Sequence, residues 1–117
     1  MIELVPSALL VEGNEDWRAD FEKDLVLGFD VTTTPHLTDG MIRCEDTHFD
    51  IIVCAGTFTK PYDGREWVRR LQEAGKKTIL VSVNPIDQVP SIDKRKFERG
   101  QLLALAQKML MEAVSPS

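Results

Sequence analysis

Short apolar runs alternate with amphipathic segments along most of the chain. Three runs, at residues 8–11, 50–55 and 78–83, are almost continuously apolar, and the second of them is the strongest. Runs of this length and continuity are typical of strands that are covered on both faces. Residues 29–33 alternate apolar and polar side chains instead, which predicts a further strand at an edge of the sheet.

The segment after the first apolar run predicts a helix with marked ends. Trp17, Phe21 and Leu25 recur at spacings of four residues, which places them on one buried face. Asn14 offers an N-cap before this segment, and Gly28 offers a C′ residue after it.

Three more helices follow from the pattern. A weaker helix lies between Pro35 and Phe49, a second spans residues 65–74 and ends at Gly75, and the last spans about residues 98–114. Strands that alternate with helices in this way predict the α/β class, with a doubly wound parallel sheet, right-handed crossovers and helices on both faces. In such sheets a functional site lies beyond the carboxyl ends of the strands.

Length and charge narrow the functional classes. The 117 residues fit a single domain, 1–117, with its core at about residues 7–114. The net charge is −5, and basic residues are scattered except at Lys94–Lys96, which argues against nucleic acid as a partner. Because no apolar run approaches ~20 residues and the N-terminus lacks signal-peptide features, we expect a cytoplasmic protein without a membrane partner.

The residues with reactive side chains suggest no catalytic chemistry. Cys44 and Cys54 lie in apolar surroundings without metal-ligand spacing, so both are expected to be reduced packing thiols. His36 and His48 fall in different predicted loops and are expected at the surface. We therefore predict no cofactor, no metal and no enzyme activity.

Several segments, in order, resemble response-regulator receiver domains of the chemotaxis-regulator type. Residues 9–18 are similar to the family's first strand and the acidic positions after it, and residues 25–31 to its first helix–strand junction. Residues 50–55 match the third strand, which in the family ends in the phosphoacceptor Asp, and residues 61–64 match the Pro and Asp-Gly turn that follows. The resemblance implies a flavodoxin-like sheet with strand order 2-1-3-4-5.

The resemblance also indicates which chemistry has been lost. An active receiver holds Mg²⁺ with two acids after the first strand and phosphorylates the Asp of the third. This chain has Glu12, Gly13 and Ala55 at those places, and a methyl group cannot attack phosphorus. Alignment on Phe97 puts Arg95 at the family's lysine position. The expected degenerate phosphoacceptor pocket therefore consists of Glu12, Gly13, Ala55, Ser82 and Arg95, with Ser82 at the switch hydroxyl position.

The segment between Ser82 and Phe97 departs from the family. It holds fourteen residues, with prolines at Pro85 and Pro90, where receivers have a helix and a fifth strand. Because proline restricts its neighbour and removes a hydrogen-bond donor, we predict a shortened or missing fourth helix and a short strand near residues 91–94. The basic run after it is either a solvated turn or a residual anion site.

These observations predict a phosphorylation-independent pseudo-receiver that acts in signal transduction through protein–protein interaction. Its partner would be a sensor kinase or another signalling protein, and the chain would be a monomer or a weak homodimer. Phe58, Tyr62 and Lys94 are candidate partner contacts, although the two aromatic rings could equally cover the vacated pocket. The alternative is a small-molecule-sensing domain that uses the pocket at the strand ends.

Overall fold

The computed structural model describes residues 5–55, 64–83 and 89–114. Five strands are present in this part of the chain: β1 Ser7–Glu12, β2 Asp30–Thr34, β3 Ile51–Ala55, β4 Thr78–Ser82 and β5 Ser91–Asp93. The helices are α1 Glu15–Leu25, α2 Leu37–Asp46, α3 Gly64–Glu73 and α4 Gln101–Val114, with a 3₁₀ turn at Lys94–Lys96. None of the described helices is long and apolar enough to cross a membrane.

The strands form one parallel sheet in the order β2-β1-β3-β4-β5, which confirms the predicted order and the edge position of β2. The register places Glu12 opposite Ala55 and Ser82 opposite Asp93. The carboxyl ends of four neighbouring strands therefore meet at one edge of the sheet, where the sequence predicts the pocket.

Each face of the sheet is covered by two helices. On one face, Phe21 and Leu25 of α1 pack with Leu102 of α4 against β1, β3 and β4. On the other face, Leu37 of α2 and Trp67 of α3 complete a second buried cluster. The strands are buried on both sides, which is the physical reason that their sequences read as continuous apolar runs.

The helix ends agree only in part with the sequence prediction. The side chain of Asn14 accepts a hydrogen bond from Trp17 N at 3.0 Å, so the predicted N-cap is confirmed. Gly75, at a φ of +81°, follows α3 as predicted. Gly28 is not the C′ residue of α1, because Val26 caps that helix. Gly28 instead lies where the chain passes close to α4, since a Cβ there would lie 2.8 Å from Gln107 Nε2.

A buried aspartate fixes the start of α4. Asp24 of α1 accepts hydrogen bonds from the backbone N–H groups of Gly100, Leu102 and Leu103 at 2.6, 3.0 and 3.1 Å. These are donors at the helix N-terminus that have no partner within the helix. The helix begins at Gln101 and not near residue 98 as predicted, because its cap comes from another helix and not from the preceding residues.

The segment before α4 contains the predicted short fifth strand. β5 spans Ser91–Asp93 and pairs with β4, close to the predicted residues 91–94. Eight residues separate Ser82 from Ser91, and five of them, 84–88, lie outside the described part of the chain. The predicted shortened or missing fourth helix falls in this connection and therefore lies largely outside the described residues.

Asp50 ties β1 to β3 at their amino ends. Its Oδ2 accepts hydrogen bonds from the backbone N–H of Ser7 at 2.8 Å and from the Ser7 hydroxyl at 3.2 Å. The backbone hydrogen bond from Ser7 is the main reason that the pKa of Asp50 lies below its ordinary value of 3.8. His48, which is exposed as predicted, lies 3.5 Å from the other carboxylate oxygen and lowers the pKa further.

The depressed pKa predicts a pH-dependent contribution to stability. A carboxylate whose pKa is lower in the folded state stabilises the fold above its unfolded value, and loses this contribution as the pH falls through the folded value. Asp50→Ala is expected to lower the free energy of unfolding at pH 7 by about 1 kcal/mol, because both hydrogen bonds are partly exposed. In urea unfolding, the difference in free energy of unfolding between wild type and variant should narrow as the pH falls below the ordinary pKa of 3.8. A gap that stays constant into strong acid would contradict the assignment.

Candidate functional site

The candidate site lies at the carboxyl ends of β1, β3 and β4. Glu12 is the last residue of β1, and its side chain is only 2% exposed. Ala55, its register partner at the end of β3, is fully buried, and Ser82 is buried at the end of β4. Gly13, directly after β1, is exposed. The structure thus brings Glu12, Ala55 and Ser82 to neighbouring strand ends.

A lysine from the turn after β5 enters this site. Lys94 Nζ lies 2.8 Å from Glu12 Oε1, and the lysine side chain is only 14% exposed. The same ammonium lies 5.1 Å from the ring centroid of Trp17, within the range of a cation–π contact. A buried carboxylate is tolerated when it is paired and hydrogen-bonded, so Lys94 is the group that makes the burial of Glu12 possible.

Trp17 covers the ion pair. The sequence predicts that this residue lies in the core, but the structure places it there only in part. Its ring is half-buried and stacks on Phe21 at a centroid distance of 5.4 Å. Phe21 in turn makes an edge-to-face contact with Phe97 at 4.9 Å. The aromatic stack therefore connects the turn that carries Lys94 to the first helix.

The second carboxylate oxygen of Glu12 has a different environment from the first. Oε2 is buried and has no hydrogen-bond partner within residues 5–55, 64–83 and 89–114. Asn14 N donates to Oε1 at 3.4 Å, and Arg18 Nη1 donates to the backbone carbonyl of Glu12 at 3.0 Å. The site therefore keeps one carboxylate oxygen as an acceptor beside the ion pair.

Arg95 lies outside the pocket, contrary to the prediction. It is exposed, and its backbone N–H, Nε and Nη2 all donate to the carboxylate of Asp93, at 3.0, 3.3 and 3.4 Å. The side-chain hydrogen bond from Arg95 is the main reason that the pKa of Asp93 lies below its usual value. Successive residues of a 3₁₀ turn point about 120° apart, so only Lys94 of this pair faces Glu12.

The structure describes only one of the three residues that the sequence predicts as partner contacts. Lys94, one of those candidates, is engaged by Glu12 and is largely buried, so the prediction that it contacts a partner is not supported. Phe58 and Tyr62 lie outside the described residues, and their role stays a prediction.

The ends of β1, β3 and β4 contribute Glu12, Ala55 and Ser82 to the site. Ala55, opposite Glu12, contributes only a methyl group, which cannot act as a nucleophile. Within the described ranges, no three side chains of His, Cys, Asp or Glu lie close enough together to hold a metal ion. Cys44 and Cys54 are not joined in a disulfide.

The pairing of Lys94 with Glu12 was missed at the sequence level. The two residues are 82 positions apart, and nothing local marks them as partners. The usable signal was topological, since Lys94 directly follows β5 and Glu12 ends β1 at the same edge of the sheet.

Comparisons with known proteins show the fold. No family model and no curated protein sequence matches the chain. The receiver domain of the Francisella response regulator 1452 has a TM-score of 0.78 at 13% identity, over 92% of this chain and 98% of that one. A receiver protein from Sinorhizobium medicae gives 0.76 at 21% identity, over 92% and 95%.

A third solved structure is an atypical orphan response regulator whose regulatory mechanism is described as phosphorylation-independent. It has a TM-score of 0.72 at 23% identity, and the match covers 90% of this chain and 95% of that one. The chain thus has the flavodoxin-like fold of response-regulator receiver domains, as the sequence motifs predicted.

Proposed function

We propose that this chain is a pseudo-receiver, a non-enzymatic cytoplasmic signalling domain that acts through a protein partner without being phosphorylated. The observation that carries this proposal is the alanine at the end of β3, directly opposite Glu12. The likeness to an orphan regulator described as phosphorylation-independent supports it.

The charge balance of the Glu12–Lys94 ion pair supports the same proposal. In an active receiver the acidic pocket requires an external cation, because several carboxylates share one small space. Here a single buried carboxylate is neutralised by Lys94 at 2.8 Å. The pocket therefore holds its own counter-charge. The domain would keep one conformation, with no change driven by phosphorylation.

A protein partner can be sought directly. The full chain with an affinity tag is used to capture proteins from the native cell extract, with and without acetyl phosphate. We expect the same partner, a sensor kinase or another signalling protein, in equal amount under both conditions. A paired Phe58→Ala/Tyr62→Ala variant tests whether those aromatics contribute. Capture that depends on acetyl phosphate would contradict a phosphorylation-independent mode.

A small-molecule-sensing domain is the second candidate, and Glu12 favours it. Its Oε2 is a buried acceptor with no hydrogen-bond partner in the described part of the chain. A buried acceptor left unsatisfied costs about 1–3 kcal/mol, so a ligand that donates a hydrogen bond there would gain affinity. Small amines and amides that raise the melting temperature of wild type, but not of Glu12→Gln, would favour this role.

A further inference from the structure

A cavity lies at the opposite end of the sheet from Glu12. It is lined by the C-terminal half of α2, by α3 and by the start of β3, it opens to solvent on one side, and its volume is about 210 Å³. Its apolar wall consists of Met41, Cys44, Phe49, Ile52, Trp67 and Leu71. Because helices run antiparallel to the strands they connect, this cavity lies near the amino ends of the strands, away from the candidate site.

The volume of the cavity limits what it can hold. Sites for drug-sized molecules usually occupy about 300–1,000 Å³. Apolar cavities of about 150 Å³ stay dry and bind benzene. A cavity of about 210 Å³ therefore has room for one or two fused rings and not for a nucleotide.

The wall of the cavity suits an aromatic ring. Met41 and Cys44 contribute two sulfur atoms to the same wall as the indole of Trp67, and sulfur and aromatic groups both make favourable contacts with ring edges and faces. Burial raises the pKa of the Cys44 thiol to about 11, so this wall carries no charge at neutral pH. Charged and polar side chains of the lining, including Glu45 and Lys76, are exposed and lie at the mouth.

We propose that this cavity is a binding site for a small, uncharged, flat aromatic molecule about the size of indole. The site is separate from the Glu12–Lys94 pair, and the proposal does not depend on the absence of phosphorylation.

Indole is the probe that tests the proposal. Titrated into the full chain, it is expected to shift the backbone amide NMR signals of Cys44, Ile52 and Leu71 saturably. The expected Kd is roughly 0.1–1 mM, which nine non-hydrogen atoms reach at an intermediate ligand efficiency. Indole should also slow alkylation of Cys44, followed by peptide mass mapping, because the occupied cavity excludes the reagent.

Two variants on neighbouring positions of α2 separate the cavity from the helix surface. Met41→Trp fills the cavity and is expected to weaken indole binding by at least about tenfold. Ile42→Trp adds the same ring on the exposed side of that helix and should leave Kd within about twofold. Shifts that do not saturate, unchanged alkylation of Cys44 in wild type, or full affinity in a folded Met41→Trp variant would each overturn the proposal. The alkylation result stands without the variants, should Met41→Trp fail to fold.

Discussion

Replacing Asp24 by Ala is expected to lower the free energy of unfolding by about 3 kcal/mol, because it removes the cap of α4. The carboxylate accepts three backbone hydrogen bonds at the start of α4, from Gly100, Leu102 and Leu103. Its loss leaves these donors without their partner in a largely buried place, and removes a negative charge from the N-terminal end of the helix dipole.

The measurement is urea unfolding of the full chain, with Asp20→Ala as the matched control. Asp20 lies one turn earlier on the same helix and is exposed, so its exchange should change stability by no more than about 0.5 kcal/mol. Asp24→Asn keeps an acceptor without the charge, so its loss of stability should fall between those of Asp24→Ala and Asp20→Ala. If Asp24→Ala were no more harmful than Asp20→Ala, the proposed cap would be wrong.

Replacing Lys94 by Met is expected to lower the free energy of unfolding by about 3 kcal/mol, because it leaves Glu12 as an unpaired buried charge. The stem of Met is nearly as long as that of Lys, so most of the packing against Trp17 is kept. The effect therefore reports chiefly on the ion pair and on the cation–π contact at 5.1 Å.

The matched control is Lys96→Met, which removes the same charge from an exposed position of the same 3₁₀ turn. It should change stability by no more than about 0.5 kcal/mol. The double variant Glu12→Gln/Lys94→Met should recover much of the loss, because replacing both members of a buried pair is often nearly neutral. Equal effects of Lys94→Met and Lys96→Met would show that the ion pair adds nothing to stability.

The sheet could be predicted from the sequence because its determinants are local. Continuous apolar runs at β1, β3 and β4 require cover on both faces, and the intervening amphipathic helices provide it. Asn14 and Gly75 were recognisable for the same reason, since each lies directly beside the helix that it ends.

Other features depend on distant partners, which a single sequence does not reveal. Asp24 lies among charged residues of α1 and looks like part of a solvated face, while the N–H groups it caps are 76 to 79 positions away. Gly28 looks like a helix C′ residue, although its lack of a side chain serves the approach of α4. The choice between Lys94 and Arg95 depends on one residue of a 3₁₀ turn, where a step of one residue rotates the side chain by about 120°.

The position of Lys94 also sharpens the functional account. A receiver whose acids are lost could simply be an inert remnant, with an open and hydrated pocket. In this chain the remaining acid is buried, paired at 2.8 Å and covered by Trp17. Such a site is a built structure, in which the acid has its own counter-charge.

The most direct test of the account is phosphorylation of the full chain by acetyl phosphate in the presence of Mg²⁺, followed by intact mass spectrometry, with an active receiver domain treated in parallel. Because Ala55 supplies no nucleophile, we predict that the mass stays unchanged while the control gains one phosphoryl group. A phosphoryl adduct on this chain that hydroxylamine releases, as it does from an acyl phosphate, would contradict the central claim.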